Sequence, residues 1–460
     1  MTLALELAAR ARALEFGNLP EDAVRWAKLG ILDTVGVTLA GSTEPAVRLL
    51  SRAIGSGTGS SLVLGTGKRL AALDATLING TAAHVLDFDD CNNTFGGHPS
   101  APLVPALLAL AGEADCSGRQ FIAAYVAGFE MECKIARGDN YYQYARGWHP
   151  TATMGVFGAA TACAHLLGLD AERMAIALAI AASLASGIKA NFGTMTKPLH
   201  VGHCARSGLL AAVLARDGFT ANPEALEHAQ GYFQAFNGPG NYQLPVILES
   251  WGRPLDIVTP GIAFKQYPCC GSTHPPIDAL LMLMDRSAIE AEQIDHIDCY
   301  IHEFCLKHTD RPAPRSGAEA KFSLQYCLAR SAVSRAVTLG HFAEDSIRDP
   351  PVRQLMGRIR VAPYTAAQFP LDNYFGAEVR VGLRDGRTLT GKVEQPLGCT
   401  SDNPLPPGVL RSKFFDCAGR VCSRQRAEQA WEAGLSLDGL DSIRSFMALL
   451  EADHPPAAAD

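Results

Sequence analysis

The segment Asn191-Phe192-Gly193-Thr194-Met195-Thr196-Lys197-Pro198-Leu199-His200 sets one ammonium and one imidazole among small and apolar residues. An Ala/Leu/Ile-rich helical pattern over 174–188 precedes it and another over 204–214 follows, so Lys197 is expected where helices meet, away from bulk water. Burial disfavours the charged amine and so suits general-base work, whereas an anionic ligand would reward the charge; proton transfer and carboxylate binding both fit. Capping a helix end, or pairing with a fixed carboxylate, is the structural alternative.

Other stretches repeat the theme of a His or Lys where a loop turns into a helix. His84-Val85-Leu86-Asp87-Phe88-Asp89-Asp90 runs into a Gly-rich loop that ends in His98-Pro99-Ser100. Carboxylates at a helix C-terminus oppose the macrodipole, so pairing with Arg or with backbone amides is expected; a metal held by the D-x-D-D run is the alternative. His98 sits on a turn fixed by two glycines and Pro99, a place where an imidazole can do chemistry or bind an anion. In Arg146-Gly147-Trp148-His149-Pro150-Thr151, Pro150 opens a helix and leaves His149 at its N-terminus, either as part of an anion site or as a plain cap. Lys265 to Pro275 crowds Lys265, Cys270 and His274 onto a short turn. No oxyanion motif or G-x-S-x-G pattern supports Cys270 as a nucleophile with His274 as its base, so substrate contacts are expected of both. Tyr326, in Lys321-Phe322-Ser323-Leu324-Gln325-Tyr326, reads as a half-buried aromatic with a satisfied hydroxyl. Jointly these residues supply a cationic pocket able to hold several carboxylates and to move a proton.

The elements that must position them change texture along the chain. Helical patterns over 71–86, 101–114, 119–136, 151–167 and 171–188, several rich in Ala and Gly, make the first half a closely packed helical bundle, with 61–65 as a short extended exception. Near residue 262 the pattern changes. Strands are expected over 294–305 and 357–361, and a hairpin joins 377–383 to 388–394 across Asp385-Gly386, with helices over 275–284 and 322–337. Helical texture returns over 407–418, 424–433 and 438–450, and the Pro/Ala-rich tail 454–460 is expected to fray. The domain reading is 1–264 for the first part of a helical domain, 265–395 for an α+β domain, and 396–460 for the return to the helical domain.

Bulk properties remove several classes of function. At 460 residues the chain exceeds the size at which one core keeps growing, so two domains are expected. A net charge of -7 with scattered basic residues leaves no footprint for nucleic acid. The first ten residues lack a basic signal-peptide region, no apolar run reaches spanning length, and thirteen cysteines suit a reducing compartment, so a cytoplasmic protein with free thiols and no membrane partner is expected. No C-x-x-C occurs, which argues against a zinc or iron-sulfur site; Cys133, Cys163 and Cys327 read as small core residues.

The motifs D-F-D-D and H-P-S (87–100), H-P before a Gly/Ala-rich helix (149 onward), M-T-K-P-L-H (195–200), the K-x-x-P turn (265–268) and F-S-x-x-Y (322–326) occur in the order found in the MmgE/PrpD family. That family includes 2-methylcitrate dehydratase, cis-aconitate decarboxylase and iminodisuccinate epimerase, and the chain resembles it over nearly its whole length. The resemblance implies a mostly α fold, with a large all-helical domain, a smaller α+β lid and an active-site cleft between them, in a homodimer that needs neither metal nor organic cofactor. It places Asp87, His98, His149, Lys197, Lys265 and Tyr326 in that cleft. Lys197, Lys265 and His98 would then hold carboxylates, while His149, Lys197 or Tyr326 would exchange a proton beside one. His149, Lys197, Tyr326 and His98 are accordingly the catalytic candidates, and Asp87, Lys265, His274, Cys270 and His200 the substrate-binding ones. The implied function is a cofactor-independent lyase, dehydratase or decarboxylase, acting on a small di- or tricarboxylate at a carbon α to a carboxylate. Epimerisation of an iminodisuccinate-like diacid is the runner-up, and a non-catalytic carboxylate-binding protein the third reading. Cys91, where cis-aconitate decarboxylases tend to carry Thr, counts against that activity; the phrases G-W-H-P-T (147–151) and N-F-G-T-M-T-K-P (191–198) and the turn with Cys270 and His274 are more similar to the epimerase, and Tyr326 to the dehydratase and decarboxylase side.

Overall fold

A computed structural model of the chain describes residues 1–54, 57–406 and 408–453, so the fraying expected of 454–460 and the helix start expected at Pro407 lie outside the described residues. The chain forms two compact units, one of residues 1–264, 400–402 and 408 onward, the other of 265–399 and 403–406.

The helical unit is organised around α1 (Ala72–Val85), α2 (Ser100–Ala114), α3 (Gly118–Asp139), α4 (Gly155–Leu166) and α5 (Thr196–Arg216). α1 is buried almost all round because its sequence offers Ala, Leu, Ile and Gly on every face and carries its one acid, Asp74, in the first turn. Its buried Thr81 hydroxyl donates to the Leu77 carbonyl at 2.8 Å, which removes the cost of burying it. Asn79, also buried, holds the hairpin of β1 (Ser61–Leu62) and β2 (Arg69–Leu70) by accepting from the Leu64 amide and donating to the Leu62 carbonyl. α3 starts in a capping box between Ser117 and Gln120 and ends on Asn140 in the left-handed region.

Small residues let these helices touch backbone to backbone. A Cβ on Gly80 of α1 would lie 2.8 Å from the Cα of Gly202 on α5, and a Cβ on Gly202 would lie 2.3 Å from the Leu77 carbonyl oxygen. α3 and α4 meet in the same way at Gly128 and Gly158. Gly202→Ala is therefore expected to force α1 and α5 apart and to lower stability by about 1–3 kcal/mol, read as a lower denaturant midpoint at unchanged slope. An unchanged midpoint would mean that the helix contact yields without strain.

Two departures from the expected helices matter for the site. The helix expected over 151–167 is interrupted at Met154, giving Pro150–Thr153 and then α4. The helix expected to run to 188 ends at Leu184, and α5 begins at Thr196, so Lys197 lies in the first turn of a helix and not in a loop between two. Pro198 follows it without disruption, since an amide in the first turn has no intrahelical acceptor to lose.

In the second unit, β3 (Ile294–Ile301), β4 (Ile359–Pro363), β5 (Ala377–Leu383) and β6 (Thr388–Val393) form a sheet in the order β4-β3-β5-β6, with β3 and β4 parallel and the other pairs antiparallel. The hairpin from β5 to β6 turns at Gly386, which takes the positive φ of 88° the turn needs. The strand expected to reach 305 stops at Ile301, because His302 caps a helix over Glu303–Thr309 by accepting from the Phe304 amide at 3.0 Å. Helices His274–Ser287 and Leu324–Ser334 share one apolar core with β3 and β5. The helix expected over 438–450 contracts to Ile443–Ala448 after a 3-10 turn at Leu437–Gly439. Among the described residues no helix is long and apolar enough to cross a membrane, and all thirteen cysteines are free thiols.

Candidate active site

Four segments of the helical unit bring their polar side chains together. The first is the end of α1 and the turn after it. The helix stops at Val85 and the chain reverses at Asp87, a non-glycine residue held at φ 52°, where the Asp87 amide donates to the His84 carbonyl at 3.1 Å. This reversal sends the three expected carboxylates to three different partners. Asp87 receives Lys197 Nζ at 2.5 Å, Asp89 receives His84 Nδ1 at 2.7 Å and His98 Nδ1 at 3.1 Å, and Asp90 is bonded to the Ser100 hydroxyl. The returning helix Val409–Ala418 supports the same turn, with Lys413 donating to the Phe88 carbonyl at 2.6 Å and pairing with Asp33 at 2.7 Å.

The second segment is the loop carrying His98. Cys91 and Ala263 pair as an isolated bridge, Asn92 and Gly97 as another, and the His98 amide donates to Thr151 Oγ1 at 3.2 Å. Gly97 is required by this approach, since a Cβ there would sit 2.8 Å from Thr151 Oγ1. The third segment is the entry to Pro150–Thr153. The His149 amide donates to the Gly187 carbonyl at 3.0 Å, and Trp148 pairs with Ile188. His149 makes no side-chain cap, contrary to the plain capping alternative; its ring is buried, with Nδ1 3.3 Å from His200 Nδ1 and its face 5.5 Å from His84. The fourth segment is the first turn of α5, which carries Lys197 and, one turn on, His200. The Phe192 ring stands edge-on to His149 at 4.9 Å and beneath the Lys197 ammonium at 5.4 Å.

Burial sets the protonation of this cluster. His84 is pushed down to about 3, first by burial and then by the Lys197 and His98 charges, which together outweigh the pull of Asp89. His149 is held well below the usual imidazole range by burial, then by His84, Lys197, His200 and His98. His200 is lowered by burial and by Lys197. For Asp89, burial favours the acid form, but the two imidazoles outweigh it and hold the carboxyl below its ordinary range. A fixed ammonium beside neutral imidazoles and one firmly held carboxylate can bind an anionic substrate and exchange a proton with it.

Asp90 behaves in the opposite way. Burial raises it to about 8 against the Ser100 hydrogen bonds, with Asp33 and Asp89 adding to the rise, and Ser100 Oγ lies 2.6 Å from the Tyr125 hydroxyl. Between pH ~4 and ~8 the folded protein keeps a proton that the unfolded chain releases, so Asp90 makes stability fall as pH rises, by about 1.4 kcal/mol per unit. Asp90→Asn is expected to remove that slope, which denaturant unfolding at pH 5 and pH 7.5 measures; an unchanged slope would mean that Asp90 is ionised when folded.

The remaining sequence candidates lie in the second unit. Lys265 is buried at its start. The His274 ring nitrogen Nε2 donates to the Cys269 carbonyl at 3.3 Å, and the thiol whose ionisation His274 favours is that of Cys269, which also contacts Thr273 Oγ1 at 3.1 Å; the Cys270 amide donates to the Lys321 carbonyl. His274 thus lies against Cys269, the neighbour of Cys270. Tyr326 is fully buried, not half-buried, and its hydroxyl donates to the His341 carbonyl while its ring packs on Phe342. Ser323 of the F-S-x-x-Y motif caps the helix by accepting from the Tyr326 amide at 3.1 Å. This is the structural reading of Tyr326 and leaves its hydroxyl engaged.

Sequence reasoning passed over His84 and the particular role of Asp89. His84 lay one helical turn before the acidic run, and the signal was there in its chemistry: an imidazole among Ala, Val and Leu at a helix end. Among the described residues, His84, Asp89 and His98 are the group able to present three metal-ligating atoms within 4.8 Å of one another. The same atoms are joined by hydrogen bonds between imidazole nitrogens and one carboxylate oxygen. The D-x-D-D run is not such a group, since its carboxylates diverge.

The helical unit and the α+β unit with its mixed four-stranded sheet correspond to the two domains of a known family. The MmgE/PrpD N-terminal domain matches residues 5–245 and the MmgE/PrpD C-terminal domain residues 267–438. The chain belongs to the MmgE/PrpD family and is an enzyme of its lyase type. Cis-aconitate decarboxylase of Homo sapiens is 31% identical to it over 97% of this chain and 94% of the relative. The enzyme of the same name from Mus musculus is 29% identical over 95% and 91%, and that from Aspergillus terreus 29% over 96% and 94%. These relatives favour neither the count against a decarboxylase drawn from Cys91 nor the likeness to an epimerase drawn from the Cys270–His274 turn.

Proposed function

We propose that the enzyme decarboxylates cis-aconitate, or a tricarboxylate built like it, without a metal or organic cofactor. Full-length similarity to three cis-aconitate decarboxylases supports the substrate class. The observation that carries the chemistry is the Lys197 ammonium held against Asp87 at 2.5 Å beside the buried ring of His149.

Loss of carbon dioxide from the CH2-bound carboxylate of cis-aconitate breaks one carbon–carbon bond. The released pair forms a new C=C, and the pair of the old double bond moves to the carbon next to a remaining carboxylate, which takes up one proton. Negative charge thus develops next to a carboxylate, and a fixed cation is the group that lowers that barrier. The proton comes from a general acid of the site. His149, kept neutral by burial, is a poor donor, so Lys197 or His98 fills that role, with His149 and His200 orienting the substrate.

A second reading, dehydration of a citrate-like substrate, is favoured by the same neutrality of His149, which makes it a ready base for an α-proton. Headspace carbon dioxide and proton NMR on cis-aconitate, citrate, methylcitrate and iminodisuccinate, with and without chelator, separate the two. Carbon dioxide from cis-aconitate at a rate indifferent to chelator supports decarboxylation; an alkene and water from a citrate without carbon dioxide supports dehydration. Turnover of none of the four refutes both.

A further inference from the structure

Two atoms of the cluster, His84 Nε2 and Asp89 Oδ1, are buried without a hydrogen-bond partner, although both side chains are fully enclosed. Native proteins keep such atoms unpaired at few places, and those places need a reason. Here the other ends of both groups are committed. His84 Nδ1 and His98 Nδ1 approach the same oxygen of Asp89, at 2.7 and 3.1 Å, and the two rings meet edge to face at 4.6 Å. An ionised carboxylate only accepts, so each Nδ1 carries the hydrogen it shares, and each neutral ring is left with an unprotonated Nε2.

We propose that Asp89 is the positioning residue for His98: gripped from one side by His84, its carboxylate fixes the Nδ1–H form of His98 and makes His98, not His84, the imidazole that gains a proton. Location decides between the two rings. His84 is enclosed on the last turn of α1, with Lys197 from α5, His149 from the start of Pro150–Thr153, and His98 itself as its charged or titratable neighbours. His98 lies on the loop, its side chain 13% exposed, with Cys91 Sγ 3.8 Å from its Nδ1 and Asp89 as its carboxylate partner. Asp87 pairs with Lys197, and Asp90 bonds to Ser100. A proton arriving at the pair is therefore stabilised by Asp89 at the ring that water and substrate can reach, while burial keeps His84 neutral as a fixed donor. Such a His98 can hold a substrate carboxylate or pass a proton to carbon, and Asp89 stabilises the imidazolium in either task.

This role deepens the carboxylate chemistry proposed above, but it can be read without substrate. Long-range proton–nitrogen NMR on the full chain labelled with 15N-histidine, His84 and His98 being assigned through His84→Gln and His98→Gln, should show neutral His84 and neutral His98 both as the Nδ1–H form. His84 should stay neutral from pH 5 to 8, and His98 should be the one of the two rings that gains the proton as pH falls. Asp89→Asn is expected to lower the His98 midpoint by about one pH unit or more, a tenfold loss of proton affinity, whereas His84→Gln, which keeps a side-chain donor for Asp89, should move it by no more than about 0.3 unit. An Nε2–H form of His98 in the wild type overturns the proposal whatever the variants do. So does a midpoint unchanged by Asp89→Asn, or Nδ1 atoms found bound to a cation instead of hydrogen. The predicted tautomers in a protein that turns over no tricarboxylate would leave the positioning role standing and refute the proposed reaction; turnover with the wrong tautomer would do the reverse.

Discussion

Lys197→Met is expected to lower kcat/KM for the tricarboxylate by about a hundred- to a thousandfold, the range seen when a preorganised group facing developing charge is removed. The side chain has two tasks that the variant separates poorly, since it also neutralises Asp87, a buried carboxylate at a left-handed backbone position. Breaking one side of such a pair costs about 3–5 kcal/mol of stability because the other charge stays enclosed. The double variant Lys197→Met with Asp87→Asn resolves the two effects. Asn tolerates the left-handed position and carries no charge, so most of the lost stability should return while activity stays low. Lys197→Arg keeps a charge but replaces a compact ammonium by a planar fork, and is expected to fold while turning over slowly. Full activity in the double variant would refute the role given to Lys197.

His149→Gln is expected to reduce kcat by about 10²- to 10⁴-fold, the usual span for a group that handles or orients a proton, with little change in stability. Glutamine can still meet His200 through its amide, so the loss would report chemistry and not packing. The pH dependence adds a second criterion. His149 is held well below the usual imidazole range by burial and by its His and Lys neighbours, so its neutral form prevails at pH 7 and above. The ionisation seen near neutrality should therefore belong to another group and survive in the variant. A loss under about tenfold, with profile unchanged, would make His149 a packing residue.

Much of this arrangement was legible in the sequence, and the reasons for the rest are local. Ala- and Gly-rich apolar runs announced the helices and even their close contact, which the structure realises at Gly80 and Gly202. Period-two alternation and Asp385-Gly386 announced the hairpin between β5 and β6. Lys197 is expected between helices because the apolar pattern resumes only at Cys204, yet the helix already starts at Thr196, where proline in the first turn costs no hydrogen bond. The strand β3 was drawn too long because the capping by His302 has no signature in alternation. His84 and Asp89 stayed hidden for a different reason. They meet because the chain doubles back at Asp87, with φ 52° at a residue where glycine or asparagine would have advertised the turn. Tyr326 shows the converse: a motif position whose spacing the helix cap at Ser323 explains, with its hydroxyl tied to a backbone carbonyl.

The most direct test follows cis-aconitate by proton NMR in deuterated buffer with purified enzyme. Decarboxylation with a single protonation at carbon predicts a five-carbon unsaturated dicarboxylate carrying one deuteron on the carbon next to a carboxylate, formed in step with carbon dioxide, while unreacted cis-aconitate stays unlabelled. Cis-aconitate that remains intact, or that gains deuterium without losing carbon dioxide, would contradict the account.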